Sequence, residues 1–221
     1  MDAPFWHDRW QRNQIGFHEP KANPLLVAHF DRLSLPAGRR VFVPLCGKTL
    51  DIQWLLSRGY RIAGAELSEI AVRQLFADLG LTPHTTVIGN ITRYSAPGID
   101  IFQGDIFDLS RGDLHEVDAV YDRAALIALP EALRARYAQH LAQITDRARQ
   151  LLICITYEQR LIAGPPFSVE GAEVARLYRS SYNLKAVGST EVPGGIKGTC
   201  PATEHVWLLM PTLPRNQPPA K

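Results

Sequence analysis

The sequence predicts an α/β fold: a mostly parallel sheet with helices on both faces, closing on an antiparallel strand. Three observations carry this expectation. Short β-branched runs recur through the middle of the chain and alternate with helical patterns, the rhythm of βαβ units. The first run leads through Gly47 into a helical pattern, the strand-loop-helix of a crevice at the carboxyl ends of strands. Past Pro165-Pro166 the rhythm changes to a helix and then two strand-like runs separated by a Gly- and Pro-containing loop, a hairpin spacing.

The strands are expected at Arg40 to Leu45, Arg61 to Leu67, Ile99 to Gln103, Val117 to Tyr121 and Gln150 to Tyr157, with LKAVGSTEV and TEHVWLLM as the closing pair. LDIQWLLSRG, SEIAVRQLFADLG and PEALRARYAQHLAQITDRA read as helices, and a fourth runs from about Val169 to Arg179. Their punctuation agrees. Ser68 stands as an N-cap, Gly59 and Gly80 follow periodic stretches as the residues that end a helix, and Pro130 suits a first helical turn.

At 221 residues and 46% hydrophobic content the chain supports one sizeable core. A single domain is expected over residues 1–210, with 1–38 as an N-terminal helical flap and Pro211 to Lys221, rich in proline, as a disordered tail. A formal charge of +2 argues against a nucleic-acid partner. No apolar run reaches the length of a membrane span, and the N-terminus lacks the apolar core of a secretory signal. Cys46, Cys154 and Cys200 form neither a disulfide framework nor a zinc pattern, which fits a reducing cytoplasm. His7, His18 and His205 lack metal-ligand spacing and read as surface or packing residues, so no metal is expected.

The stretch VFVPLCGKTLD contains GKT, yet a Walker loop needs a glycine five residues before Gly47, where Phe42 stands. The dinucleotide fingerprint is missing too. A cofactor without phosphates needs no such cradle, but it does need a partner for ribose hydroxyls. Glu66, in AGAELS and 19 residues after Gly47, ends the second strand and offers two acceptor oxygens. The competing reading is a carboxylate favouring the dipole of the following helix. S-adenosylmethionine is the commonest cofactor that combines a ribose, no phosphate and this architecture.

Five motifs in order, VFVPLCGKTLDIQWL, GAELSE, GDIFDL, YDRAALIAL and AGPPFSV, give the chain a resemblance to the thiopurine S-methyltransferase family of class I S-adenosylmethionine-dependent methyltransferases, from about Phe5 to Met210. The resemblance implies a Rossmann-like, seven-stranded sheet with its last strand antiparallel, and methyl transfer to the sulfur of an aromatic or heterocyclic thiol. Bacterial members are also linked to methylation of selenium and tellurium species. Residue by residue it implies that Leu45 meets the cofactor through its backbone, Glu66 takes the ribose, Asp105 and Ile106 lie beside the adenine, and Trp10 closes over the methionine half. Arg123 stands near cofactor and substrate, and Phe17 faces the acceptor. Pro211 to Lys221 has no counterpart, and Glu191 to Thr203 matches poorly.

The chemistry gives these residues reasons. In-line displacement at a sulfonium requires alignment above all, and the thiolate is the nucleophile. A fixed guanidinium at Arg123 would hold that anion; its competing role is a salt bridge with Asp122 or Glu131. Phe5, Trp6, Trp10 and Phe17 would offer ring faces to a sulfonium, with ordinary packing the preferred role for Trp6. Pro165 and Pro166 form a wall of the acceptor pocket or simply a turn, and Cys46 reads as a small buried turn residue. The expected protein is a cytoplasmic, monomeric S-methyltransferase acting on a small thiol. The alternatives are an acceptor among tellurium or selenium oxyanions or other small nucleophiles, and a non-catalytic S-adenosylmethionine sensor.

Overall fold

The computed structural model describes residues 3–16 and 18–212. In chain order, α1 spans Ala3–Gln11 and α2 Pro24–His29, followed by a short 3-10 turn at Phe30–Leu33; β1 is Arg40–Pro44, α3 Leu50–Ser57, β2 Arg61–Glu66 and α4 Glu69–Asp78. Then come β3 at His84–Ile88, β4 at Ile91–Ala96, β5 at Ile99–Gln103, α5 at Arg111–Leu114 and β6 at Ala119–Arg123. The chain finishes with α6 at Glu131–Ile144, β7 at Arg149–Tyr157, α7 at Gly171–Tyr178, β8 at Tyr182–Glu191 and β9 at Ala202–Pro211.

The sheet has nine strands in the order β3-β4-β5-β2-β1-β6-β7-β9-β8, where seven were expected. Its centre, β5-β2-β1-β6-β7, is parallel. β9 runs antiparallel to both β7 and β8, as the closing hairpin required. The two extra strands are the hairpin β3-β4, which pairs antiparallel with β5. Ile88 pairs with Ile91, so Gly89-Asn90 is a two-residue loop, and Gly89 has φ 57°. The strands it joins carry His84, Thr85, Thr86, Thr92 and Arg93; β3 is largely open to solvent and β4 buries only Ile91 and Tyr94, so they lack the apolar run by which the central strands are recognised.

Period-2 alternation sends each central strand to two cores. Val41, Val43 and Tyr121 face one side with Leu26, Phe30, Ile52 and Phe76; Phe42 and Val120 face the other with Tyr137, Leu141 and Tyr178. α2 and Phe30–Leu33 thus belong to the core, and the part of segment 1–38 that stands apart from it is α1 with the chain up to residue 22.

Local signals explain the helix ends. The Ser68 hydroxyl accepts from Ala71 N–H, capping α4, and Thr49 does the same for Asp51 N–H at the start of α3. Gly59 and Gly80 follow the last helical residues with φ 82° and 67°. Pro130 is the N-cap of α6, one residue before its first turn. Two other boundaries move. β6 reaches Arg123 instead of ending at Tyr121, and Pro211, expected to open the tail, pairs with Tyr182 inside the sheet. Residues 213–221 lie outside those described.

Candidate active site

The sheet order reverses at β1, with β2 on one side and β6 on the other. That is the point where the carboxyl ends of an open α/β sheet part to form a crevice. Both strands flanking the crevice end abruptly. Leu45, after β1, has φ 47°, and Ala124, after β6, has φ 61°, a region that residues with a side chain seldom enter. The two left-handed turns carry the chain away from the sheet in opposite directions, and a cavity of about 480 Å³ opens between them. Leu45, Gly47, Glu66, Arg123 and Ala124 line its floor, α1 supplies Phe5, Trp6, Arg9 and Trp10 as its cover, and Pro165, Pro166, Ile196 and Glu204 close the far side.

Glu66 is 6% exposed at the end of β2. One carboxylate oxygen accepts from Gly47 N–H at 2.7 Å and the other from Ser68 N–H at 2.8 Å. Burial pushes its pKa above the ordinary value, while those backbone donors work in the opposite direction. The contact with Ser68, the cap of α4, places the carboxylate at the start of that helix as well. Leu67 N–H is a third backbone donor to this carboxylate, whose two oxygens offer about four acceptor sites, so acceptor capacity remains for a ligand.

Trp10 is 5% exposed and lies over Gly47: a Cβ at Gly47 would meet the indole Cζ2 at 3.2 Å. The turn therefore needs glycine twice, for its φ of 52° and for the space the indole takes. Phe5 and Trp6 meet edge to face at 5.1 Å beside it. Trp6 lines the cavity as well, where packing alone was the preferred expectation. Phe17 lies outside the described residues.

Arg123 closes β6 with its side chain 14% exposed. Its partners are neither Asp122 nor Glu131. One Nη donates to Glu19 in a short ion pair, and the other stands 3.8 Å from Asp51 Oδ2. Asp51 is 1% exposed and accepts from Tyr121 Oη at 3.0 Å and from Asn23 N–H at 2.7 Å, so the acid beneath the arginine is held from β6 and from the start of α2. Burial opposes the Arg123 charge, but Tyr121, Asp51, Glu19 and Glu204 together raise its pKa above the ordinary value. Asp122 points to the other core and accepts from Tyr137 Oη at 2.7 Å and Leu126 N–H at 3.2 Å; burial lifts its pKa to about 6.

Pro165 and Pro166 do stand at the cavity, and their segment is anchored: Tyr157 Oη donates to Pro166 O at 2.6 Å, and Phe167 N–H to Ile127 O at 2.7 Å. Asp105 and Ile106 follow β5 and do not line the cavity. Asp105 Oδ1 accepts from Phe107 N–H at 3.0 Å, and Ile106 is buried with its carbonyl 2.7 Å from His140 Nε2. Cys46 is buried, its thiol pKa pushed up by burial and then by Glu66. His7 is exposed, and His205 Nε2 meets Thr156 Oγ1 at 2.9 Å. Among the described residues no three His, Cys, Asp or Glu gather to hold a metal ion, and no helix is long and apolar enough to cross a membrane.

Sequence reasoning missed Glu19, Asp51, Ile196, Lys197 and Glu204. Only Glu204 carried a signal: in TEHVWLLM it shares a strand face with Val206, which is fully buried.

The fold is that of the class I S-adenosylmethionine-dependent methyltransferases. A methyltransferase of that type from Anabaena variabilis superposes with TM-score 0.65 at 12% identity, over 94% of each chain. The 1,6-didemethyltoxoflavin-N1-methyltransferase of Burkholderia thailandensis, solved with S-adenosylhomocysteine, gives TM-score 0.64 at 14% identity, over 94% of this chain and 87% of that one.

The family model for thiopurine S-methyltransferase matches residues 1–201. A thiopurine S-methyltransferase of Xanthobacter autotrophicus is 61% identical over 210 residues, 95% of this chain and 99% of its own length. Another, from Gluconobacter oxydans, is 48% identical over 215 residues, covering 97% and 98%. The chain belongs to the thiopurine S-methyltransferase family.

Proposed function

We propose that this protein transfers the sulfonium methyl group of S-adenosylmethionine to the sulfur of an aromatic or heterocyclic thiol. The observation that carries the reading is that Glu66 and Arg123 line one cavity together with Phe5, Trp6 and Trp10 of α1.

The residues present fit that cofactor. Gly47 carries no side chain beneath the Trp10 indole, and Glu66 is fixed by backbone donors with acceptor capacity to spare for ribose hydroxyls. Trp10 and Leu45 line the same cavity as Glu66, while Asp105 and Ile106, which do not line it, are left without a part in this reading. When bound, S-adenosylmethionine supplies an electrophilic methyl group on a positively charged sulfur. Phe5, Trp6 and Trp10 offer ring faces to that charge, each worth about 0.5 to 2 kcal/mol where desolvated. α1 acts as a flap that keeps water from the crevice.

Arg123 steadies the developing thiolate and sets its approach, and Glu19 and Asp51 keep the guanidinium in one orientation. Pro165 and Pro166, pinned through Tyr157 and Ile127, give the acceptor ring a flat, rigid wall. Alignment of this kind supplies much of the acceleration in a displacement with no covalent enzyme intermediate. The protein acts as a cytoplasmic monomer on a small diffusible thiol, without nucleic acid, membrane or metal. Release of S-adenosylhomocysteine together with an aryl methyl thioether, across a panel of aromatic thiols and with EDTA present, tests the whole reading. Binding of S-adenosylmethionine without methylation of any acceptor would leave a sensor instead.

A further inference from the structure

Three carboxylates line the cavity, and two of them are engaged: Glu66 by backbone donors, Glu19 by Arg123. The third, Glu204 on β9, makes no direct hydrogen bond or ion pair with a described side chain. Such a group, half-buried against a pocket, is expensive to keep charged unless it has work there.

Its placement follows from the register. Arg123 pairs with Ile153 across β6-β7, and Ile153 with Val206 across β7-β9; one pleat further, Ile155 pairs with Glu204. Arg123 and Glu204 thus project from the same face of the sheet, diagonally across β7, into the same cavity. Resting on the S-methyl transfer reading above, we propose that Glu204 is the general base that takes the proton of a neutral acceptor thiol.

The thiol S–H bond breaks and its proton passes to a Glu204 oxygen. The freed sulfur pair forms the new bond to the methyl carbon, whose bond to the sulfonium sulfur breaks and neutralises that charge. The proton then leaves Glu204 for solvent, so thioether, S-adenosylhomocysteine and one proton balance the reactants. Arg123 and Glu204 divide the task, the cation stabilising the sulfur anion while the carboxylate removes the proton. Arg123 cannot do both, because guanidinium does not deprotonate in proteins.

The charges that face Glu204 are Arg123 from β6, Glu19 from the segment after α1, and Asp51 from α3. Lys197 from the loop before β9 and Arg9 from α1 line the same cavity, and the neighbouring His205 is engaged with Thr156. Burial raises the Glu204 pKa, Arg123 lowers it, and Glu19 and Asp51 raise it again, leaving it above the ordinary value. That direction suits proton abstraction from a thiol.

The test is turnover at saturating S-adenosylmethionine with two aryl thiols, one whose own pKa lies above the working pH and one already ionised in solution. With the first, wild type should reach its plateau at a pH where the thiol is still neutral in solution, whereas Glu204→Gln should follow the ionised fraction of the thiol, its rate rising about tenfold per pH unit up to the thiol pKa. At the working pH that variant should lose about 100-fold or more, the scale of one lost general base, and much less with the thiol already ionised in solution. Glu204→Asp should restore part of the loss. Calorimetry with S-adenosylmethionine reports whether each variant is folded. A Glu204→Gln pH profile identical to that of wild type, or equal losses with both thiols, overturns the proposal. Should the variant not fold, a wild-type profile that tracks the thiol's solution pKa does so. Absence of thioether from every thiol with wild type overturns the underlying S-methyl reading, an outcome separate from any variant's behaviour.

Discussion

The carboxylate of Glu66 accepts a hydrogen bond from Gly47 N–H at 2.7 Å, tying the end of β2 to the turn that follows β1 across 19 residues of sequence. The same side chain holds Ser68 N–H, so one acid ties together the turn after β1 and the start of α4.

Glu66→Gln keeps one oxygen and substitutes an amide donor for the other, so either Gly47 or Ser68 loses its acceptor and the ribose faces a donor. The expected loss in S-adenosylmethionine affinity is about 1 to 3 kcal/mol, the scale for a badly paired buried polar group. Calorimetry checks it. Unchanged affinity would leave Glu66 only its helix-start role.

Gly47→Ala tests the indole cover. The new methyl must displace Trp10, whose Cζ2 would stand at 3.2 Å, and the backbone must hold alanine at φ 52°. The left-handed conformation alone costs roughly 1 to 2 kcal/mol. A lowered Tm with weaker cofactor binding is expected, whereas Gly89→Ala, on the far hairpin and also at positive φ, should lower Tm and leave binding unchanged.

Arg123→Ala should retain most S-adenosylmethionine affinity and lose turnover at saturating cofactor. Arg123→Lys should recover only part of it, since an ammonium cannot satisfy Glu19 and Asp51 with a planar fork. Asp51 keeps its bonds from Tyr121 and Asn23 in both variants, so folding should survive. Equal turnover in all three proteins, with only Tm reduced, would assign Arg123 to structure.

Asp122 should leave a signature in stability against pH. Its folded pKa, about 6, lies above the ordinary aspartate value of 3.8, so the folded state binds the proton more tightly than the unfolded one. Its contribution therefore favours folding most at low pH, weakens as pH rises from about 4 to about 6, and is constant above, a swing on the order of 3 kcal/mol. Asp122→Asn removes this dependence. The Tm of the variant minus that of wild type should rise with pH across that window and then level off. A difference flat from pH 4 to 6 would mean that Asp122 is not perturbed.

Much of the fold was legible in the chain because its signals are local. Apolar runs such as Val41 to Val43 and Ile62 to Ala65, interrupted by helical patterns and stopped by Gly59 or Gly80, suffice for a parallel α/β sheet. The hairpin β3-β4 was not read because its strands lack an apolar run, although Gly89-Asn90 marks its turn. Glu66 was legible for a similar reason: an acid at the end of the second strand has one place to go in this architecture.

The sequence by itself determined the architecture, the glycine turn after β1 and the acid that ends β2, since each depends on residues within a single βαβ unit. Only the tertiary structure decided what surrounds Arg123. Its ion-pair partners are 104 positions away at Glu19 and on α3 at Asp51, and the carboxylate sharing its cavity arrives on β9. No spacing rule links such residues. What joins them is the reversal of strand order at β1, which opens a crevice into which β6, β9 and the N-terminal segment all project. In that crevice charges are separated from water and so must find one another.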